Sequence, residues 1–418
     1  MAETDNPVRV ARSWLDELPA ALILGWTLSA SISIAVSQIF VGLSFAAVVL
    51  RFLIRSPSLS SPPKSSIILI TAISIWVISQ LPSVLASPEP SVSWLGLGSS
   101  DWLLILALSL PWSGAREVWV IRWIVGLGVS ASIAAVLGLW QHFSGWNSVV
   151  GDSLTRVGRF YRAEGFFDFP LTLAGVELAV FALVAALVMS GSVWRHQWHW
   201  RTFAVMTGLV LCATYARGAW IAAAVTLIVV ATAAGKRRRS LALLAGVFAL
   251  GLILMMVIPE TAGRLSSVVD IKDSGRFELW GAAIRMFLSH PFTGIGIARF
   301  QTVFPQIYHG GAYIVSFCHA HSDPLNRLAE TGAIGIMGAV VMWGTVGWMG
   351  WRLWRVPIPN RMTAMGRGAA IALFALWLAG WSQCYYTDAE VGAVWWFLVG
   401  VLGLSFKRVS TQKAPNPN

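Results

Sequence analysis

Apolar runs long enough to cross a bilayer recur along most of this chain, and they leave it few folds to adopt. A span needs about 20 apolar residues at about 1.5 Å of rise each. Candidates lie at 18–34, 35–54, 66–86, 93–112, 118–140, 170–190, 202–216, 218–235, 240–258, 332–354, 365–385 and 391–406. The first two abut at Ser31 and Ser33 and read as a bent hairpin. The seventh and eighth are separated only by Ala216-Arg217-Gly218. In hydrocarbon a backbone must satisfy its own polar groups, and runs of this length do so as helices. The expected fold is therefore all-α: a polytopic membrane protein with about twelve transmembrane helices. Composition agrees, with 56% hydrophobic and 12% charged residues, against about 25% charged in soluble domains. The 23 tryptophans suit the headgroup zones of a bilayer.

The net charge of +11 does not point to nucleic acid, because it falls mainly in short loops between spans. Arg51, Arg55 and Lys64 follow span two, and Arg116 precedes span five. Arg195 and Arg201, Lys236 to Arg239, then Arg352, Arg355, Arg361 and Arg367 occupy later loops of the same side, and Lys407, Arg408 and Lys413 follow the last span. With twelve spans all of these face the cytoplasm, and so do both termini. No cleavable signal peptide is expected at the polar N-terminus. Three parts follow: a membrane bundle over 1–258, a long outer loop over 259–331, and C-terminal spans with a tail over 332–418.

Two outer loops break the charge trend. One, at 141–169, carries Arg156, Arg159 and Arg162; the other carries Arg264, Lys272, Arg276, Arg285, Arg299 and Arg327. Basic residues there oppose the orientation signal, and an anionic ligand on that face is the simplest reason for them. Within the long loop, Phe277, Trp280, Ile284 and Phe287 follow a helical spacing, which predicts an amphipathic helix lying along the membrane surface. His290-Pro291 ends it and Gly294-Ile-Gly296 makes a tight turn. The stretch from His319 to Gly335 is polar, with His319, His321, Asp323, Arg327 and Glu330 just before a span. Asp323 is expected to cap a helix with Pro324 at its first position, leaving His321 outside the helix start at the membrane surface.

Each candidate has a plain reading beside a functional one. Arg217, flanked by apolar spans, either snorkels at a helix turn or serves a polar site, since charge at membrane depth is costly. Arg276 is either a solvated charge near Glu278 or an anion ligand. His321 is either an ordinary loop histidine or a general base, its unperturbed pKa lying near neutrality. Arg162 fits an anion or a lipid headgroup. Glu177, inside span six, is a packed, protonated or arginine-paired carboxyl, or part of a proton or ion relay. Arg122 is expected to snorkel. Cys212, Cys318 and Cys384 show no metal spacing, a Cys318–Cys384 bridge is disfavoured, and no metal site or cofactor is expected. Arginines that hold phosphate oxygens and a base that activates a hydroxyl are what a reaction on a lipid-linked diphosphate needs.

His321-Ser322, followed after nine residues by Gly332-Ala-Ile-Gly335, resembles the His-[Asn/Ser/Gln]-x9-Gly-x-x-Gly signature of the O-antigen ligase and polymerase family. Tyr215-Ala-Arg-Gly218 resembles that family's Arg-Gly element at a span junction. Arg276-Phe-Glu-Leu-Trp280 with Pro291-Phe-Thr-Gly-Ile-Gly296 resembles its outer-loop helix and turn, and Arg162-Ala-Glu-Gly165 with Phe169-Pro170 the element before its sixth span. The resemblance implies a multi-spanning glycosyltransferase of the bacterial inner membrane, with its site on the periplasmic face. Its donor would be a glycan on undecaprenyl diphosphate, and its acceptor a glycan, a lipid A core or a protein. It implies Arg217 and Arg276 on the diphosphate and His321 as base, with Arg162, His319, Tyr215 and Ser322 as neighbours. Membrane lipids are partners, nucleic acid is not, and the chemistry runs without metal. The family is also similar to cyanobacterial proteins regarded as inorganic-carbon transporters, so bicarbonate transport is the rival function.

Overall fold

The computed structural model describes residues 7–55, 64–146, 154–190, 197–233, 276–307, 319–357 and 359–412, with isolated helical positions between 242 and 249. In chain order the helices are α1 (Pro7–Ser29), α2 (Ile34–Arg55), α3 (Lys64–Ile78), α4 (Leu81–Ala86), α5 (Pro90–Asp101), α6 (Leu104–Trp112), α7 (Glu117–Ser144), α8 (Pro170–Met189), α9 (Trp198–Ala213), α10 (Arg217–Ala233), α11 (Arg276–Ser289), α12 (Phe300–Ile307), α13 (Asp323–Trp354), α14 (Arg361–Ala379) and α15 (Ala389–Gln412). Between α7 and α8 a two-residue antiparallel pair, β1 (Arg156–Val157) and β2 (Phe160–Tyr161), turns at Gly158. The protein is an all-α polytopic membrane protein.

Among the described residues, seven stretches are long and apolar enough to cross a bilayer: Ile34–Ile54, Ser66–Ala86, Glu117–Ser144, Pro170–Met189, Asp323–Trp354, Arg361–Ala379 and Ala389–Val409. Pro90–Ser99 and Leu104–Trp112, bent by 41°, make an eighth if taken together. Twelve spans were expected. By length α9 and α10 fall short, with 16 and 17 residues, and the expected span at 240–258 lies outside the described residues. The predicted α1–α2 hairpin is present, its two arms packed on each other.

α8 forms the centre. Its sequence is apolar on every face, so every face must be covered, and α7, α9, α10, α14 and α15 cover it. Glu177 lies fully buried within it, and neither carboxyl oxygen meets a hydrogen-bond partner among the described residues. The arginine pairing considered for it is therefore not what this packing provides.

α13 is broken at Gly332, whose backbone (φ 61°, ψ −163°) leaves the helical region. The break frees groups on both sides, and residues 291–296 take them up. Ala333 and Ile334 donate to the carbonyls of Pro291 and Phe292 at 2.9 and 3.2 Å. Ile295 and Gly296 donate to Ala329 and Glu330 at 3.0 and 3.2 Å. The two glycine motifs are thus halves of one joint: a Cβ on Gly332 would collide with the backbone of Phe292 and Gly294, and one on Gly294 with Glu330.

Two local expectations need correction, one at the start of α13 and one at the end of α14. Ser322, not Asp323, occupies the cap position of α13 without a capping side-chain bond, and Pro324 is the second helical residue. Helical side chains lean toward the N-terminus, so the Asp323 carboxylate projects past the helix start. There it accepts the N–H groups of Tyr385 and Tyr386 at 3.3 and 3.1 Å. In α11 the side packed on protein is Leu279, Ala282, Ala283 and Met286, because the chain stacks Phe300, Phe304 and Ala329 there. Phe277, Ile284 and Leu288 point outward. At the second place, α14 stops at Ala379 rather than 385, and residues 380–388 form a loop.

Candidate active site

Gln141 of α7 shapes the first wall of the site. Its Oε1 accepts the N–H groups of Glu164 and Gly165 at 3.0 and 2.7 Å, and its Nε2 donates to the Gly165 carbonyl at 2.8 Å. The turn so fixed docks on the end of α9. Ala163 N–H donates to the Ala213 carbonyl at 3.0 Å, and Arg162 Nε to the Thr214 carbonyl at 2.9 Å. At Tyr215 the chain adopts a left-handed turn (φ 56°), uncommon for a bulky residue. The turn makes Arg217 the first residue of α10. Gly218 then abuts Ser382, so this junction and the 380–388 loop approach closely.

Arg276 is likewise the first residue of its helix, α11. Two half-buried arginines thus stand at two helix N-termini, where unpaired backbone N–H groups and the helix dipole already favour anions. They are close enough to repel. Burial, and after it the nearby Arg217, push the Arg276 guanidinium below its usual value, while Tyr385 and Cys384 oppose the shift. Tyr385 also feels Arg162, which draws that third arginine into the same neighbourhood.

His321 faces them. Its backbone is left-handed (φ 49°) rather than extended, yet its ring still meets that of His319, with centroids 4.4 Å apart at 80°. The His321 N–H donates to His319 Nδ1 at 3.2 Å. His321 Nδ1 lies 2.6 Å from Gln383 Oε1. Burial pushes the His321 imidazole below its ordinary value, Arg276 adds to this, and Gln383 works against it. For His319, burial and then His321 bring the value down to about 4. Both rings are therefore neutral at pH 7, and a neutral imidazole can take a proton. Ser322 is buried, and its Oγ has no partner among the described residues. Beneath it Cys384 contacts the backbone of His321 and Ser322, and burial pushes its thiol well up, which makes it unreactive. Cys318 lies outside the described residues, and with it the bridge considered to Cys384.

Arg217, Arg276, His319, His321 and Ser322 come together, and Arg162 joins through Tyr385. Tyr215 stands at the edge, its ring 5.9 Å from that of His142 and 6.1 Å from Trp220. Arg299 and Arg327 of the long outer loop make structural contacts instead. Arg299 pairs with Glu89 at 2.9 Å, and Arg327 lies 3.7 Å over the Trp76 ring, whose Nε1 donates to Asp101 at 3.1 Å. Among the described residues no three His, Cys, Asp or Glu side chains converge to hold a metal ion.

Sequence reasoning passed over the 380–388 loop, which supplies Gln383, Cys384 and Tyr385. Apolar Trp377 to Trp381 hid the helix end. The polar run Ser382-Gln-Cys-Tyr-Tyr-Thr-Asp388 was the available signal. Beside the loop, a cavity of about 780 Å³ runs from Asp323, Tyr386 and Thr387 between α13 and α14 to Trp351 and Trp354. Gly344 and Gly347 face open space along it.

Fold and site together define a multi-pass membrane protein with an anion-ready arginine pair beside a neutral histidine. Residues 202–340 match the family model described as O-antigen ligase, a segment that contains Arg217, Arg276, His319, His321, Ser322 and the Gly332 joint. That segment, about a third of the chain, is thus similar to the O-antigen ligase family, whose members are glycosyltransferases in the broad sense. No curated protein matches the chain.

Proposed function

We propose that the protein moves a glycan from undecaprenyl diphosphate to an acceptor hydroxyl on the periplasmic face of the bacterial inner membrane, with both termini cytoplasmic. The observation that carries this reading is the placement of Arg217 and Arg276 at two helix N-termini, side by side and next to neutral His321. Two like charges held in a half-buried place favour an anion between them, and a diphosphate matches the bidentate habit of arginine.

In the reaction, His321 Nε2 takes the proton of the acceptor hydroxyl as its oxygen attacks the anomeric carbon of the donor's first sugar. The bond from that carbon to the diphosphate oxygen breaks, and its electron pair leaves with the diphosphate, whose charge Arg217 and Arg276 hold. Arg162 supports this anion through the Tyr385 neighbourhood. His319, Tyr215 and Ser322 shape the surroundings of the acceptor and donor. The acceptor is a glycan, a lipid A core or a protein. The groove between α13 and α14 opens beside the site. From Ile336 to Trp354 it follows α13 for about 27 Å, at about 1.5 Å per residue, roughly the hydrocarbon thickness of a bilayer. That depth suits the donor's polyprenyl chain. Bicarbonate transport is the alternative, and flux without any lipid-linked glycan would distinguish it.

His321→Ala tests the reading. The variant should insert and fold normally while losing glycan transfer from purified donor to purified acceptor. Full activity in that variant would remove His321 from the mechanism.

A further inference from the structure

The same geometry points to Gln383 as a positioning residue: we infer that it holds His321 in the Nδ1–H tautomer and so presents Nε2 as the proton acceptor. This rests on the role of His321 as base. The amide oxygen of Gln383 has no proton to give, so at 2.6 Å the proton between them must sit on Nδ1 of the neutral ring. Nε2 then carries the lone pair. The hydrogen-bond partner of one ring nitrogen sets the chemistry of the other.

Gln383 is placed to do this reliably. It is buried, and its loop is clamped to the segment that carries His321. Asp323, two residues after His321, donates its N–H to the Gly380 carbonyl at 2.7 Å and accepts from Tyr385 and Tyr386 on the other side of Gln383. Histidine and glutamine therefore move as one unit. An amide also fits this site better than a carboxylate. A carboxylate at 383 would orient the ring equally well, but it would bring a negative charge beside Arg276, which already lies within electrostatic reach of His321. It would then compete with the anion the arginines are set to hold.

The test combines a tautomer measurement with kinetics. In the full-length protein in detergent, with histidine labelled by ¹⁵N and the signal identified by its loss in H321A, His321 should show a protonated Nδ1 and a free Nε2. Gln383→Leu should yield a mixture that includes the Nε2–H form and lower kcat by about 10- to 100-fold, the scale for losing the hydrogen-bond partner that orients a metal-ligating imidazole. Donor KM should stay unchanged. Gln383→Glu should keep the tautomer, move the acid limb of the kcat–pH profile to higher pH, and raise donor KM. In the H321A background, Gln383→Leu should cost nothing further. A wild-type ring protonated at Nε2, or an Nδ1–H tautomer that persists in Gln383→Leu, would overturn the assignment. If Gln383→Leu fails to fold, the wild-type tautomer and the Gln383→Glu profile decide. The tautomer is read without glycan transfer. Failure of the glycosyltransferase reading would instead appear as an active H321A or as no transfer at all.

Discussion

Arg217 heads α10, adjoins the 380–388 loop through Gly218, and repels Arg276, and its proposed role on the diphosphate rests on these neighbours. Arg217→Lys keeps a charge and loses the planar fork. Donor affinity should fall by the worth of one charge-assisted hydrogen bond, about 1.5–3 kcal/mol, or roughly tenfold and more. Titration of the purified variant with labelled donor checks this, and wild-type affinity would count against a diphosphate role. His319 makes a second residue-scale prediction. Above about pH 6.5 it is neutral in both folded and unfolded chains and contributes no pH dependence. Between 6.5 and about 4 the unfolded chain binds a proton that the folded site refuses, so stability falls as pH falls. Thermal unfolding from pH 7.5 to 4.5 should show this decline, and His319→Gln should flatten it.

Elements reach the site through joints, and the Gly332 joint is the clearest. Arg276 begins α11, and His321 precedes α13. The 291–296 segment that follows α11 hydrogen-bonds across the break in α13, which ties one arginine to the histidine. Gly332→Ala should cost roughly 1–3 kcal/mol in backbone strain alone, with a collision against Phe292 in addition. A lowered melting temperature with parallel loss of transfer is expected, while a variant as stable as wild type would mean the joint opens without cost. The joint's sequence signature was readable as two glycine motifs, but their interlocking was not, since the pairing spans some forty residues. Asp323 shows the same limit. Its position at a helix start was legible from Asp323-Pro324, yet its carboxylate serves a loop more than fifty residues away.

At the scale of the whole molecule, apolar runs and basic loops were enough to predict an all-α membrane protein, because hydrocarbon admits few backbones. Arg217, Arg276 and His321, the candidates that the structure brings together, were legible by residue type and motif, since charge is sparse in such a chain. Gln383 was not, because its use depends on a loop buried inside an apparently continuous apolar run. The groove between α13 and α14 depends on packing between spans, which periodicity does not report. What the assembled molecule does is best read in proteoliposomes that carry polyprenyl-diphosphate-linked glycan and an acceptor, with bicarbonate uptake followed in parallel vesicles lacking the glycan. Wild-type protein should transfer glycan, H321A should not, and neither should carry bicarbonate. Bicarbonate flux by the wild type with no glycan transfer would be the opposite result, and it would replace the transferase with a transporter.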